Sequence, residues 1–247
     1  MVQENTKEGY ALKVRVKFAK EGAMKFIGHL DIMRYFQKAV KRANLDVAFS
    51  EGFSPHMIMS FASPLGVGIT STGEYFDMEL KSATTSSDMV KRLNDAMAEG
   101  MKILSIRQVE NGKASKAMSL VAAADYRLKF RETAKLPENW KEKLEEFKAQ
   151  KEIVILKKTK KSEKELDIRP FIYKLSLEEK DEIFMQLAAG SSDNTKPELV
   201  MEAFAAFMEI SYENLKFMIH RCELYADTGS AEARNLVSLE DLGEEIE

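Results

Sequence analysis

Residues 24–80 decide the fold of the first half of this chain and read MKFIGHLDIMRYFQKAVKRANLDVAFSEGFSPHMIMSFASPLGVGITSTGEYFDMEL. Within them, apolar residues recur every three or four positions over residues 29–43, which predicts a helix with one buried face. A loop rich in Gly and Pro follows at residues 51–73, and a strand is predicted at residues 74–80. Just upstream, residues 12–18 alternate apolar and basic side chains, which indicates a strand with one buried face.

The same order of elements occurs twice along the chain. Residues 11–110 are predicted to form strand, helix, two strands, helix and strand, and residues 121–226 repeat this pattern without repeating the sequence. The predicted fold is therefore α+β, with two tandem ferredoxin-like (split βαβ) units that have antiparallel sheets. Residues 227–247 are predicted to form a flexible acidic tail.

Composition indicates a cytoplasmic protein. The chain has 247 residues and one cysteine, Cys222, which excludes an internal disulfide and a set of thiolates for an iron–sulfur cluster. A reducing compartment fits this cysteine usage. The apolar runs are too short to span a bilayer, and residues 1–10 have no apolar signal core, so no membrane partner is expected.

The formal net charge of −3 conceals an uneven distribution. Residues 12–60 carry nine basic and four acidic side chains, whereas residues 227–247 carry seven acidic side chains and one basic. A basic front end favours a polyanionic partner such as RNA, and the alternative is an ordinary solvated face. The predicted nucleic-acid-binding residues are Arg15, Lys17, Arg34, Lys38, Lys41, Arg42 and Arg169.

Two histidines are candidates for catalysis. His29 lies at the predicted start of a helix, where the positive helix end favours neutral imidazole, a possible general base. His56 and Glu51 lie in the following loop, and the three residues are the predicted catalytic set. Their spacing matches no known metal motif, so no metal site is predicted. The loop residues predicted to lie near a bound ligand are Ser54, Pro55, Gly66 and Gly68.

Several short motifs carry a resemblance to a known family. They are Gly28-His29-Leu30-Asp31 with Arg34, Ser50-Glu51-Gly52-Phe53-Ser54-Pro55-His56, Pro64-Leu65-Gly66-Val67-Gly68, Glu74-Tyr75-Phe76-Asp77, Asp167-Ile168-Arg169-Pro170, and Arg221. With these, the chain resembles the radical SAM-linked protein family, bacterial proteins of uncharacterised activity that are fused to, or encoded beside, radical SAM enzymes. The resemblance implies a radical SAM protein as partner. It also implies that the iron–sulfur cluster and S-adenosylmethionine belong to that partner, with no cofactor on this chain.

Three functions remain open at this point. The first is an accessory protein that acts with a radical SAM enzyme and binds an RNA or RNA–protein substrate through its basic N-terminal face. The second is an RNA-processing endonuclease or a transferase that uses His29 and His56. The third is a scaffold that binds only the radical SAM protein. An enzyme acting on its own is the less favoured reading.

Overall fold

The structure is a computed structural model that describes residues 11–112, 114–158, 163–190, 193–230 and 233–247. The fold is mixed α+β, with strands that pair mostly antiparallel and few helices, so the predicted fold class is confirmed at this level. The chain divides into two compact units. The first unit contains residues up to Val67, then Thr72–Leu120 and Val237–Glu247, and the second contains Gly68–Ser71 and Val121–Leu236.

The first unit places its strands in the order β4-β1-β3-β2. Neighbours β1 and β4 pair antiparallel, as do β2 and β3. Its elements are β1 (Leu12–Lys20), α1 (His29–Arg42), β2 (Met59–Phe61), β3 (Thr70–Leu80), α2 (Ser86–Asp95), β4 (Met101–Gln108) and α3 (Ala117–Leu120). The predicted strand at residues 12–18 and helix at residues 29–43 are confirmed by β1 and α1.

The core of the first unit lies between the helices and one face of the strands. Alternation along β1 turns Val14, Val16 and Phe18 into this core, where they meet the apolar stripe of α1. Four rings pack together there, with neighbouring centroids 4.7–6.1 Å apart: Phe18, Phe36, Phe61 and Phe76. The opposite face of β1 therefore carries the basic residues of the alternating pattern.

The second unit places its strands in the order β10-β5-β9-β8, with antiparallel pairing throughout this set. The start of β3, at Thr70 and Ser71, pairs parallel with His220 and Arg221 of β10. The elements are β5 (Val121–Phe130), α4 (Trp140–Lys148), β6 (Val154–Lys158), β7 (Glu163–Asp167), β8 (Ile172–Leu177), β9 (Glu182–Ala188), α5 (Pro197–Phe207) and β10 (Phe217–Asp227). The short strand β11 (Leu236–Ser238) begins at the last residue of this unit.

Two segments differ from the sequence-based prediction. The loop predicted at residues 51–73 is interrupted by β2 and ends at residue 69, because β3 begins at Thr70. Between α4 and β8, strands β6 and β7 form a separate two-stranded antiparallel sheet, which the pattern predicted for residues 121–226 does not include. Residues 159–162, between β6 and β7, lie outside the described residues.

Part of the segment predicted as a flexible acidic tail has specific contacts in the structure. Residues 231–232 lie outside the described part of the chain, but residues 237–247 belong to the first unit. The Gln108 amide donates to the Glu244 carbonyl at 2.7 Å, and the Ser86 amide donates to the Ile246 carbonyl at 2.8 Å. Ile246 also packs against the first unit's core. The C-terminal segment is held because it satisfies polar groups and covers apolar surface.

Candidate nucleic-acid interface

The basic face of β1 is an internal surface. The Arg15 guanidinium donates two hydrogen bonds to the Asp77 carboxylate, at 2.8 and 3.2 Å, and only 2% of Arg15 is exposed. Its remaining donors contact the backbone carbonyls of Leu239 and Ser115. A buried carboxylate and two carbonyls thus use the donors of Arg15, and its role as a nucleic-acid contact stays a prediction.

Lys17 is also paired inside the protein. Its Nζ lies 2.7 Å from Glu240 Oε2 and 5.7 Å from the centre of the Tyr75 ring. Burial acts to raise the pKa of Glu240, but hydrogen bonds from Lys17 and Ser105, together with the positive charges of Lys17 and Arg107, outweigh it and leave the pKa below its usual range. Lys17 thus pairs with an acid of the C-terminal segment, and its role as an RNA contact stays a prediction.

Helix α1 presents the exposed basic residues. Its apolar stripe faces the core, so the other side of the helix carries Arg34, Lys38, Lys41 and Arg42, all of them exposed. Asp31 in the first turn and Lys41 and Arg42 in the last turn complement the helix dipole. The Arg92 guanidinium donates to the Ala43 carbonyl at 2.7 and 2.9 Å and closes the C-terminal end. The helix is thus well defined locally.

The four cations of α1 differ in their partners. Arg34 lies 3.2 Å from Asp31, in a pair whose side chains are both about two-thirds exposed and therefore contribute little. Arg42 donates to the Ala96 carbonyl at 2.9 Å. Lys38 and Lys41 have no ion-pair or hydrogen-bond partner among the residues that the structure describes. These two lysines are available to an external anion.

Arg169 has a structural role within the second unit. Its guanidinium donates to the carbonyls of Gln150 at 3.1 Å and Ile172 at 3.0 Å. The Asp167 carboxylate accepts from the backbone amides of Ile153 and Arg169. Both charged groups therefore bind backbone groups at the end of β7, and the role of Arg169 as an RNA contact stays a prediction.

His29 lies in a small pocket beside the core. Its ring meets Phe61 edge-on, with centroids 5.3 Å apart. Lys20 and Glu74 also line this pocket, whose volume of about 10 Å³ is enough for roughly one water molecule. Lys20 Nζ is held by the Ile27 carbonyl at 2.8 Å. The pocket is too small for a nucleotide base.

His56 lies in a different and larger pocket of about 290 Å³. Its Nδ1 lies 2.8 Å from the Ser50 hydroxyl, and its backbone amide donates to the same oxygen at 3.1 Å. Glu51, which lies between Ser50 and His56 in sequence, is exposed and lines neither the pocket of His29 nor that of His56. The structure thus assigns the two histidines to separate pockets, so the three predicted catalytic residues do not share one site.

The predicted loop residues near a ligand are all exposed. Ser54 and Pro55 lie in the turn before His56. Gly66 and Gly68 lie between β2 and β3, and the positive φ of 89° at Gly68 requires glycine. A Cβ placed on Gly68 would meet no described atom within 4 Å, so the glycine shapes the turn there.

Buried acids are the residues that sequence reasoning missed. Asp77 of β3 is one, and Asp125 of β5 is another, accepting from Gln186 at 2.9 Å and from the Tyr225 hydroxyl at 2.8 Å. Burial raises the pKa of Asp125, although these two hydrogen bonds act against the change. Burial likewise raises the pKa of the Cys222 thiol to about 11, which makes it a poor nucleophile at neutral pH. An acid within an apolar strand was the available signal for both aspartates.

The described residues also bear on metals and membranes. Across the described ranges, no group of three His, Cys, Asp or Glu side chains is arranged to hold a metal ion. In the same part of the chain, every helix is too short or too polar to cross a bilayer.

Solved structures provide distant comparisons. A chain of a Cbf5–Nop10–Gar1 complex is 11% identical with a TM-score of 0.43, over 85% of this chain and 48% of that one. A chain of the archaeal box H/ACA sRNP Nop10–Cbf5 complex is 13% identical with a TM-score of 0.39, over 93% and 52%. An unknown protein from Galdieria sulphuraria is 12% identical with a TM-score of 0.25, over 86% and 99%. This chain spans about half the length of the first two.

A family model provides the more informative comparison. No curated protein matches the chain. The model of the family DUF2344, described as an uncharacterised protein conserved in bacteria, matches residues 13–197. That range includes β1, α1, both histidines and the buried Asp77 and Asp125. Because the match covers well over half of the sequence, the chain belongs to the DUF2344 family of uncharacterised bacterial proteins.

Proposed function

We propose that this protein is an accessory subunit that acts with a radical SAM enzyme in the cytoplasm and binds an RNA or RNA–protein substrate through helix α1. The observation that carries the RNA part is the exposed cationic side of α1, where Lys38 and Lys41 have no partner within the described residues. The enzyme partner rests on the motif resemblance. The sole cysteine supports placing the iron–sulfur cluster and S-adenosylmethionine on that partner.

The spacing of the cations suits a phosphate backbone. Arg34, Lys38 and Arg42 follow one another at four-residue intervals, which is about 6 Å along a helix axis. Such a row can contact successive phosphates, and each neutralised phosphate releases counterions. With Arg15, Lys17 and Arg169 occupied by internal partners, the proposed interface is smaller than the sequence indicated and is confined to one helix.

We also infer that each unit has a ferredoxin-like plan. In this plan, a βαββαβ unit orders its strands 4-1-3-2 in an antiparallel sheet. The order β4-β1-β3-β2 supports this for the first unit, and β10-β5-β9-β8 supports it for the second. Such folds host many functions, so the proposal for RNA depends on α1 and not on the fold.

The test is a charge reversal with a matched control. The variant Lys38→Glu/Lys41→Glu should bind a fluorescent single-stranded RNA of about 20 nucleotides at least tenfold more weakly than the unaltered protein at about 0.1 M salt. Its log–log salt slope should fall by about 1.4, because two phosphate contacts are lost at about 0.7 each. The control, Lys102→Glu/Lys135→Glu, changes net charge equally at exposed lysines outside α1.

Two results would overturn the RNA proposal. One is an equal loss of binding in both double variants, which would indicate a general charge effect. The other is RNA crosslinking in cells that enriches no RNA class.

The partner is tested by affinity purification of this protein from cells. Recovery of a radical SAM protein without RNA, in a complex that is stable in moderate salt, would support the scaffold function instead. Failure to recover such a protein would remove the partner from the proposal.

A further inference from the structure

The pocket that contains His56 has the composition of a site for a small anion. It is a cleft of about 290 Å³ in the first unit, formed by β2, the loop before it and the segment around residue 116. Three basic side chains line it, Lys13, His56 and Lys116, and Met57 and Met59 form an apolar wall. A few polar groups beside an apolar wall are typical of small-molecule pockets.

The buried part of the pocket has an excess of positive charge. Lys13 Nζ donates to Ser115 Oγ at 3.2 Å and to the Gly112 carbonyl at 3.5 Å, and neither of these acceptors carries a charge. Its nearest carboxylate, Asp77 at 3.6 Å, already accepts two hydrogen bonds from Arg15 and one from the Ala117 amide. Both cations are at least nine-tenths buried, and in the described part of the chain no other carboxylate lies within ion-pair distance of either. Two buried cations thus share one carboxylate, and an unbalanced buried charge is unfavourable. An anion in the pocket would relieve this imbalance.

His56 is oriented for such a role. The Ser50 hydroxyl lies against Nδ1 and also accepts from the His56 amide, so the ring and the backbone are tied to the same residue. Nε2 has no hydrogen-bond partner among the described residues. Lys116 is exposed at the same pocket and, in that part of the chain, has no ion pair. Two donors are therefore available beside the buried Lys13.

We propose that this pocket binds a small organic oxyanion, with its phosphate or carboxylate group at Lys13, His56 and Lys116 and its apolar body against Met57 and Met59. Glu79 also lines the pocket and adds a negative charge. That charge disfavours polyanions, so the site selects a ligand with a single anionic group. The proposal is independent of RNA binding by α1.

The experiment measures binding of two probes to the full chain by calorimetry. Phenyl phosphate and benzoate carry the same ring with a different oxyanion, so their comparison distinguishes a phosphate ligand from a carboxylate ligand. At least one probe should bind saturably. The variants His56→Ala and Lys116→Ala should each weaken it by about tenfold, the effect of losing one charge-assisted hydrogen bond. Both positions are exposed, so folding should be retained.

Two control variants separate this site from other features. Lys102→Ala removes an exposed lysine of the same unit outside the pocket and should leave binding unchanged. Lys38→Glu/Lys41→Glu should also leave it unchanged, even though RNA binding is lost. The proposal is overturned if neither probe binds saturably, or if His56→Ala and Lys116→Ala bind as well as the unaltered protein.

Discussion

At the scale of single residues, partners decide what a charged side chain does. Arg15 lies in a basic alternating strand, yet its guanidinium faces Asp77, which is 62 positions further along the chain. The two side chains are 2% and 3% exposed. Lys13 contacts the same carboxylate. Asp77 is therefore the residue on which the buried charges of the first unit depend.

Replacing Asp77 should destabilise the protein strongly. Asp77→Ala leaves Arg15 and Lys13 buried without a carboxylate, and we expect the free energy of unfolding to fall by about 3–5 kcal/mol, measured by urea denaturation. The control is Asp31→Asn, which removes the exposed pair with Arg34 and should cost less than about 1 kcal/mol. Similar losses in the two variants would contradict this role of Asp77.

At the scale of elements, the C-terminal segment of residues 237–247 acts as a cover for the polar face of the first unit. Glu240 pairs with Lys17, the Leu239 carbonyl accepts from Arg15, and Asp241 lies 3.3 Å from Arg107. These contacts match acidic side chains and carbonyls to the basic residues of β1 and β4. The acidic C-terminal segment and the basic N-terminal strand thus partly neutralise each other within the first unit.

Glu240 should make the stabilisation of the first unit by residues 237–247 depend on pH. Because its pKa is lowered in the folded protein, its stabilisation is present above the ordinary value of 4.5 and is lost as pH falls through the lowered pKa. Glu240→Gln should therefore lower the free energy of unfolding by about 1 kcal/mol at pH 7, with the difference narrowing as pH falls below 4.5. A difference independent of pH, or an equal effect of Glu245→Gln at an exposed position, would count against this assignment.

At the scale of the whole molecule, the first unit is discontinuous in sequence. It is completed by Val237–Glu247, which follow the entire second unit along the chain. The folding of the first unit therefore depends on residues that lie more than 110 positions beyond its last earlier residue, Leu120. Contacts of such long sequence separation are costly in chain entropy and form late.

Removing residues 237–247 should increase local opening in the first unit and leave the second unit unchanged. Hydrogen exchange followed by mass spectrometry should show faster exchange in β4, where the Gln108 amide loses its bond to the Glu244 carbonyl. Exchange in β8 and β9, which belong to the second unit, should stay within about twofold of the full chain. Unchanged exchange in β4, or equal acceleration in all three strands, would contradict this prediction.

The sequence by itself determined the local elements and the α+β class. Strict alternation in β1 and the three- and four-residue spacing in α1 depend only on neighbours along the chain, and so do the exposed Lys38 and Lys41. The tertiary structure decided which charges remain available. Arg15 and Lys17 have the same side-chain chemistry as the cations of α1, but they pair with Asp77 and Glu240, which are distant in sequence. Arg169 donates to the carbonyls of Gln150 and Ile172, which lie nearer along the chain. The separation of His29 from His56 has the same origin, because pockets form from residues that only folding brings together.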